Sequence, residues 1–163
     1  TGRPEETVDP ALLSAYWPDD EPKAVSTAAS GTYVYAKKQN DLSLGDQNVI
    51  VLRLAEMYLI KAEAEANMPT AVISGIQSNL NTVRHRAGLG DTDAATISEL
   101  KLAIEKERRL EFAFEGHRWF DLVRTNRAVD VLPGVSNANQ MLFPIPLSEL
   151  NTNSLMIQNT GYN

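Results

Sequence analysis

The segment Glu107-Arg108-Arg109-Leu110-Glu111-Phe112-Ala113-Phe114-Glu115-Gly116-His117-Arg118-Trp119-Phe120-Asp121-Leu122 imposes a demand that few folds meet. Its first part continues a helical pattern in which Leu100, Ala103, Ile104, Leu110 and Phe114 face one way. Glu107 and Glu111 fall in that same apolar stripe. A carboxylate buried among leucines is destabilising unless a cation is bonded to it. Other segments must therefore deliver basic side chains to this helix, and Arg53, Arg84, Arg86 and Arg118 are the candidates.

Two further stripes surround it. Val51, Leu54, Ala55, Tyr58, Leu59, Ala62 and Ala66 form one helical face, with Ile50, Met57, Ile60 and Ala64 on the other side. A helix apolar on both sides is buried between neighbours. Val72, Ile73, Ile76, Leu80, Val83 and Ala87 form the next stripe, after Pro69 and a Thr70 N-cap, and Gly88 stops it. Thr96-Ile97-Ser98-Glu99 is a capping box that starts the third helix, and Gly116 interrupts it. The spacing predicts helices over 49–67, 71–87 and 97–115 and no sizeable sheet. The first two, joined by a short turn, make an αα-hairpin of tetratricopeptide length.

With 163 residues, 43% of them hydrophobic and 22% charged, the chain reads as one globular domain over 1–163. Residues 1–48 read as an irregular arm or loop region, punctuated by Pro4, Pro10, Pro18 and Pro22; Thr32-Tyr33-Val34-Tyr35 is a short strand or extended arm. Residues 49–163 form the helical region, with an extended tail at Leu142-Phe143-Pro144-Ile145-Pro146 and one helical turn at Ser148-Glu149-Leu150. A net charge of −6 speaks against nucleic acid as a partner. There are no cysteines, so thiolate catalysis and cysteine metal sites are excluded. No apolar run approaches the length of a membrane span.

Chemistry-bearing residues read as structural more readily than catalytic. His117 stands near Glu111, Glu115, Arg118 and Asp121 without a second ligand at metal spacing or a nucleophile, so no metal or cofactor is expected. Glu107 and Glu111, one helical turn apart and flanked by arginines, are held ionised and make poor general acids. Arg53, Glu56, Glu107, Glu111, Arg118 and Asp121 are assigned to a structural polar network, and the chain is expected not to be an enzyme. Trp119 and Phe120 are assigned to the core, and Phe143 to core packing or proline-bounded extended chain. Tyr16, Trp17, Tyr33 and Tyr35, among Asp19, Asp20 and Asn40, are the candidates for stacking on sugar faces; the competing reading makes them anchors of the arm.

Four blocks occur in order: Leu52–Ala64, Leu80–Leu89, Glu107–Leu122 with Arg124-Thr125, and Leu142–Pro146 followed by Glu149 and Gln158–Tyr162. Together they resemble the C-terminal part of the SusD/RagB family of outer-membrane nutrient-binding proteins, over roughly residues 49–162. The resemblance implies a mainly α protein of tetratricopeptide-like helical hairpins, an α-α superhelix with irregular loops. It implies a cell-surface carbohydrate-binding component of polysaccharide (starch) utilization, lipid-anchored at the outer membrane by a cysteine upstream of this sequence. Its partners would be an oligosaccharide or polysaccharide and a TonB-dependent, SusC-like transporter. A helical protein-interaction scaffold with no sugar binding of its own is the alternative.

Overall fold

The computed structural model describes residues 7–18, 20–38 and 51–162 and is mainly α. It divides into two compact units, Thr1–His117 and Arg118–Asn163, where the sequence reads as a single domain.

In the first unit α1 (Pro10–Leu13) and α2 (Glu21–Ser26) precede an antiparallel hairpin, β1 (Thr27–Ser30) and β2 (Tyr33–Ala36), turned at Gly31 with φ 62°. The arm is therefore more ordered than the irregular chain expected over 1–48, whose residues 1–6, 19 and 39–48 lie outside the described set. The prolines explain the difference: Pro10 sits in the first turn of α1, where its missing N–H costs nothing, behind an Asp9 cap. Helices α3 (Leu54–Ala66) and α4 (Ile73–Arg86) form the tetratricopeptide-like hairpin, and α5 (Ile97–Glu111) packs on both.

The core joins Leu59, Ala62 and Ala66 of α3, Ile76, Leu80 and Val83 of α4, and Leu100 and Ile104 of α5, with Ala94 and Phe112. Both halves of the Thr96–Glu99 capping box form. Gly88, at φ 77°, closes α4: Leu89 N–H donates to Arg84 O at 2.9 Å and Gly88 N–H to His85 O at 3.1 Å, a Schellman cap.

Several boundaries differ from expectation. Residues 51–53 precede α3 rather than open it, and Val49 and Ile50 lie outside the described residues. Among the described residues one side of α3 is covered, with Leu59, Ala62 and Ala66 buried, whereas Leu54, Met57 and Ile60 are exposed, as is Val51 ahead of the helix. Thr70 does not cap α4; Val72 occupies that position with no side-chain bond, and Val72 and Ile73 are exposed. α5 ends at Glu111, four residues early, because Phe114 (φ 66°) and Gly116 (φ 81°) adopt left-handed backbone that no α-helix contains. Phe114 thus leaves the buried stripe.

The second unit holds most of α6 (His117–Arg124), then α7 (Ala128–Val131), a 3₁₀ turn at Ala138–Met141 and α8 (Leu147–Thr152). The tail is held extended by side chains. Gln158 bonds the backbone N–H and O of Ile145 at 2.8 and 3.0 Å, Asn159 donates to Phe143 O at 2.8 Å and Tyr162 to Leu142 O at 2.7 Å. The assignment of Phe120 to the core is corrected: it is 67% exposed, two positions from buried Leu122 and so on the far side of α6. Phe143 is also exposed, and its ring centroid lies 6.0 Å from that of half-buried Trp119.

The exposure difference across α3 sets a stability contrast. Leu59→Ala, at a fully buried position, should cost about 2–5 kcal/mol. Its neighbour Ile60→Ala should change stability by no more than about 1 kcal/mol. Urea unfolding of the two variants checks this, and equal losses would contradict the packing described.

Candidate functional site

The polar network assembles around the C-terminal end of α5. Glu111 is 3% exposed, yet its carboxylate is engaged from two directions. Arg53, immediately before α3, donates through Nη1 to Glu111 Oε1, and Arg86, the last residue of α4, donates to Oε2 at 2.5 Å. Arg53 also bonds the Glu111 carbonyl at 2.8 Å and both Glu115 carboxylate oxygens at 2.9 and 3.1 Å. Lys38, which follows β2, donates to the same carbonyl at 2.8 Å and to Glu115 Oε1 at 2.6 Å. The left-handed Phe114 turns the chain just before Glu115, which accepts from both cations. Phe112 is buried beneath, its ring centroid 4.9 Å from the Arg53 guanidinium and 5.2 Å from that of Arg108. These are charge-assisted bonds; those among Arg53, Lys38, Glu111 and Glu115 lie in poorly solvated surroundings, where each is strong and each unmade one is costly, whereas Arg86 reaches Glu111 from a largely exposed position.

The other residues of the sequence-based network occupy separate places. Glu56 on α3 faces Arg108 at 4.0 Å and His117 Nδ1 at 3.6 Å. Asp121 belongs to the second unit, where Arg124 bonds it at 2.7 Å; Arg118 is half-buried on the same helix, α6. Glu107, 3% exposed, contacts Arg84 Nη1 at 3.4 Å. Burial pushes its carboxyl up to about 7, against the pull of Arg84 and with the help of Asp20 and Glu111. This departs from the expectation that arginine holds it ionised: at 3.4 Å one guanidinium does not offset the loss of water. Lys38 has no part in the sequence-based reading, and Glu115 enters it only as a neighbour of His117; nothing local in the sequence relates Lys38 to a residue 77 positions away.

The four aromatic candidates of the arm divide. Tyr16 is buried, packs with Leu110 and Ala113, and donates its hydroxyl to Leu110 O at 3.2 Å. Trp17 is half-buried; Lys106 Nζ lies 3.7 Å from its ring centroid and the Arg84 guanidinium 4.8 Å. Both rings anchor the arm to α4 and α5. Tyr33 is 61% exposed and Tyr35 half-buried. Being two apart on β2, they share one face of the hairpin. Asp20 is buried near Tyr16, whereas Asp19 and Asn40 lie outside the described residues. Among the described residues no three His, Asp or Glu side chains stand together as metal ligands, and no helix is long and apolar enough to cross a membrane.

Removing the Glu111 carboxylate leaves Arg53 and Arg86 facing each other without their shared partner. Glu111→Ala should therefore cost about 3–5 kcal/mol in denaturant unfolding. A variant that unfolds at the wild-type midpoint would show that the cluster holds nothing together.

A sequence model of the SusD family matches residues 13–133. A SusD-like protein of Formosa agariphila is 34% identical over 97% of this chain, and the chain spans 34% of its length. The starch-binding protein SusD of Bacteroides thetaiotaomicron is 34% identical over 72% of this chain and 22% of its own. The solved structure of a laminarin-binding SusD-like protein superposes with a TM-score of 0.58 at 42% identity, covering 71% of this chain and 23% of that one. The chain thus spans about a third or less of these relatives. Arg53, Glu107, Glu111 and the hairpin helices α3–α5 all lie inside the matched segment, and the chain belongs to the SusD family.

Proposed function

We propose that this chain is part of a cell-surface glycan-binding protein that captures oligosaccharides or polysaccharides and presents them to a TonB-dependent, SusC-like transporter in the outer membrane. The observation that carries the reading is the family match over residues 13–133, together with relatives named for binding starch and laminarin. A lipid anchor outside this sequence would hold the protein at the extracellular face. The chain acts by binding rather than catalysis: Glu111 is occupied by Arg53 and Arg86, which leaves it unsuited to proton transfer.

Within the arm, the shared face of Tyr33 and Tyr35 is the surface best formed to stack on sugar rings. It combines exposed aromatic area with hydroxyls that can bond ligand, on a hairpin that fixes their spacing. Tyr16 and Trp17 support the arm behind it. A scaffold that binds protein without sugar is the competing reading; the 61% exposed Tyr33 ring on β2 supports the sugar-binding one.

Calorimetric titration of this chain with laminarin- and starch-derived oligosaccharides tests the proposal. Weak binding is expected, because one hairpin face buries little of a ligand. Tyr33→Ala should weaken it about tenfold, equivalent to about 1.4 kcal/mol. Binding that Tyr33→Ala and Tyr35→Ala leave intact would remove the hairpin from the site, and no binding of any glycan would favour the scaffold.

A further inference from the structure

Helix α3 carries a second apolar face, away from the core it shares with α4 and α5. Its buried residues Leu59, Ala62 and Ala66 join the cluster that contains Ile76, Leu80 and Ile104. At about 100° per residue these three fall on one side of the helix. Leu54, Met57, Ile60 and Ala64 fall on the opposite side, and all four are exposed, Leu54 by 71%, Met57 by 45% and Ile60 by 46%. Lys61 stands among them with its side chain 62% exposed. The four recur at intervals of three and four residues, so they form a ridge along the helix axis. Ala64 lowers that ridge, which lets another backbone come close. The solvated face of α5 looks different: exposed Leu102 has exposed Ser98 and Lys106 one turn to either side. A single apolar residue among polar ones is ordinary on a surface, whereas a continuous apolar ridge marks an interface.

We propose that the ridge Leu54, Met57, Ile60 and Ala64 is the seat of a further helical hairpin, supplied by the same polypeptide from outside residues 1–163. The spacing selects the occupant. Side chains at three- and four-residue intervals interlock with the same intervals on another helix, and the two-residue period of a strand does not match them. Hairpins of the tetratricopeptide kind cannot bury both faces alone and do so by stacking on a neighbouring hairpin. Within α3–α4 one face already meets α5, so the stacking face is the ridge. The chain spans about a third or less of the relatives it matches, and one further hairpin needs only about 34 residues of the remaining length. Supply from the same polypeptide also suits the size of the ridge. A stable interface between separate chains engages about 20–30 residues a side, far more than this ridge offers. Covalent linkage makes a small contact sufficient, because the partner is held at high effective concentration. The seat is independent of what the protein binds.

The chain contains no cysteine, so a single introduced thiol reports its own surroundings. Ile60→Cys on the ridge and Lys101→Cys at an exposed position of α5 are compared by maleimide labelling. Each is measured in residues 1–163 and in the whole polypeptide, with any other cysteine replaced by serine. In residues 1–163 the two thiols should label at similar rates. In the whole polypeptide Ile60→Cys should label at least about tenfold more slowly, because a buried thiol is inert, while Lys101→Cys keeps its rate. Met57→Cys repeats the measurement at a second ridge position should Ile60→Cys fail to fold. A ridge thiol that labels equally fast in both forms overturns the proposal. So does a ridge thiol already protected in residues 1–163: protection lost on dilution assigns the ridge to a second copy, and protection at every concentration assigns it to another part of this chain.

Discussion

The buried Glu111 carboxylate is the interaction on which the first unit depends. It lies at the end of α5, and its oxygens are claimed by Arg53 from the entry to α3 and by Arg86 from the end of α4. Three segments separated in sequence are thereby tied at one point. Lys38 brings the end of the arm to the same place through the Glu111 carbonyl and Glu115. An apolar core of Leu59, Ile76, Leu80, Leu100 and Ile104 drives the helices together without direction. The charge-assisted bonds supply the direction, because arginine forks accept only a narrow range of carboxylate positions. Register among α3, α4 and α5 is thus set where the charges are.

That arrangement explains why α5 stops where it does. Continuing the helix through Glu115 would carry that carboxylate a full turn onward. Left-handed backbone at Phe114 instead turns the chain, and Glu115 accepts from Lys38 and Arg53. A left-handed aromatic residue is destabilising by about 1–2 kcal/mol. Two ion pairs with poorly solvated partners offset that strain. The arm is attached by a different balance. Tyr16 and Trp17 hold it through ring packing and cation–ring contacts with Lys106 and Arg84. Tyr33 and Tyr35 stand on the hairpin, the first exposed and the second half-buried.

Much of the helical frame was legible from periodicity. The stripes at Leu59–Ala66, Ile76–Val83 and Leu100–Leu110 are the buried faces, and the capping box and Gly88 sit where their local chemistry requires. These are short-range signals, set by contacts within one or two turns. Periodicity misjudged what covers each stripe. Met57 and Ile60 read as buried because they are apolar, but apolarity does not reveal whether a neighbour lies within the chain. Phe120 was misplaced for a similar reason: aromatic bulk next to a helix terminus gives no information about which face points inward.

The demand for partners at Glu107 and Glu111 came from the sequence alone, because burial of a carboxylate is unfavourable in any fold. So did the family, through four blocks in order. Which cations answer that demand was decided by tertiary structure. Arg53 and Arg86 converge on Glu111, Arg84 stands at 3.4 Å from Glu107, and Lys38 reaches Glu115 from 77 residues away. The unequal result for the two acids, one held by two arginines and the other raised to about 7, depends on distances of a few ångströms. Electrostatic energy in a poorly solvated interior varies steeply over such distances, and residue order does not encode them.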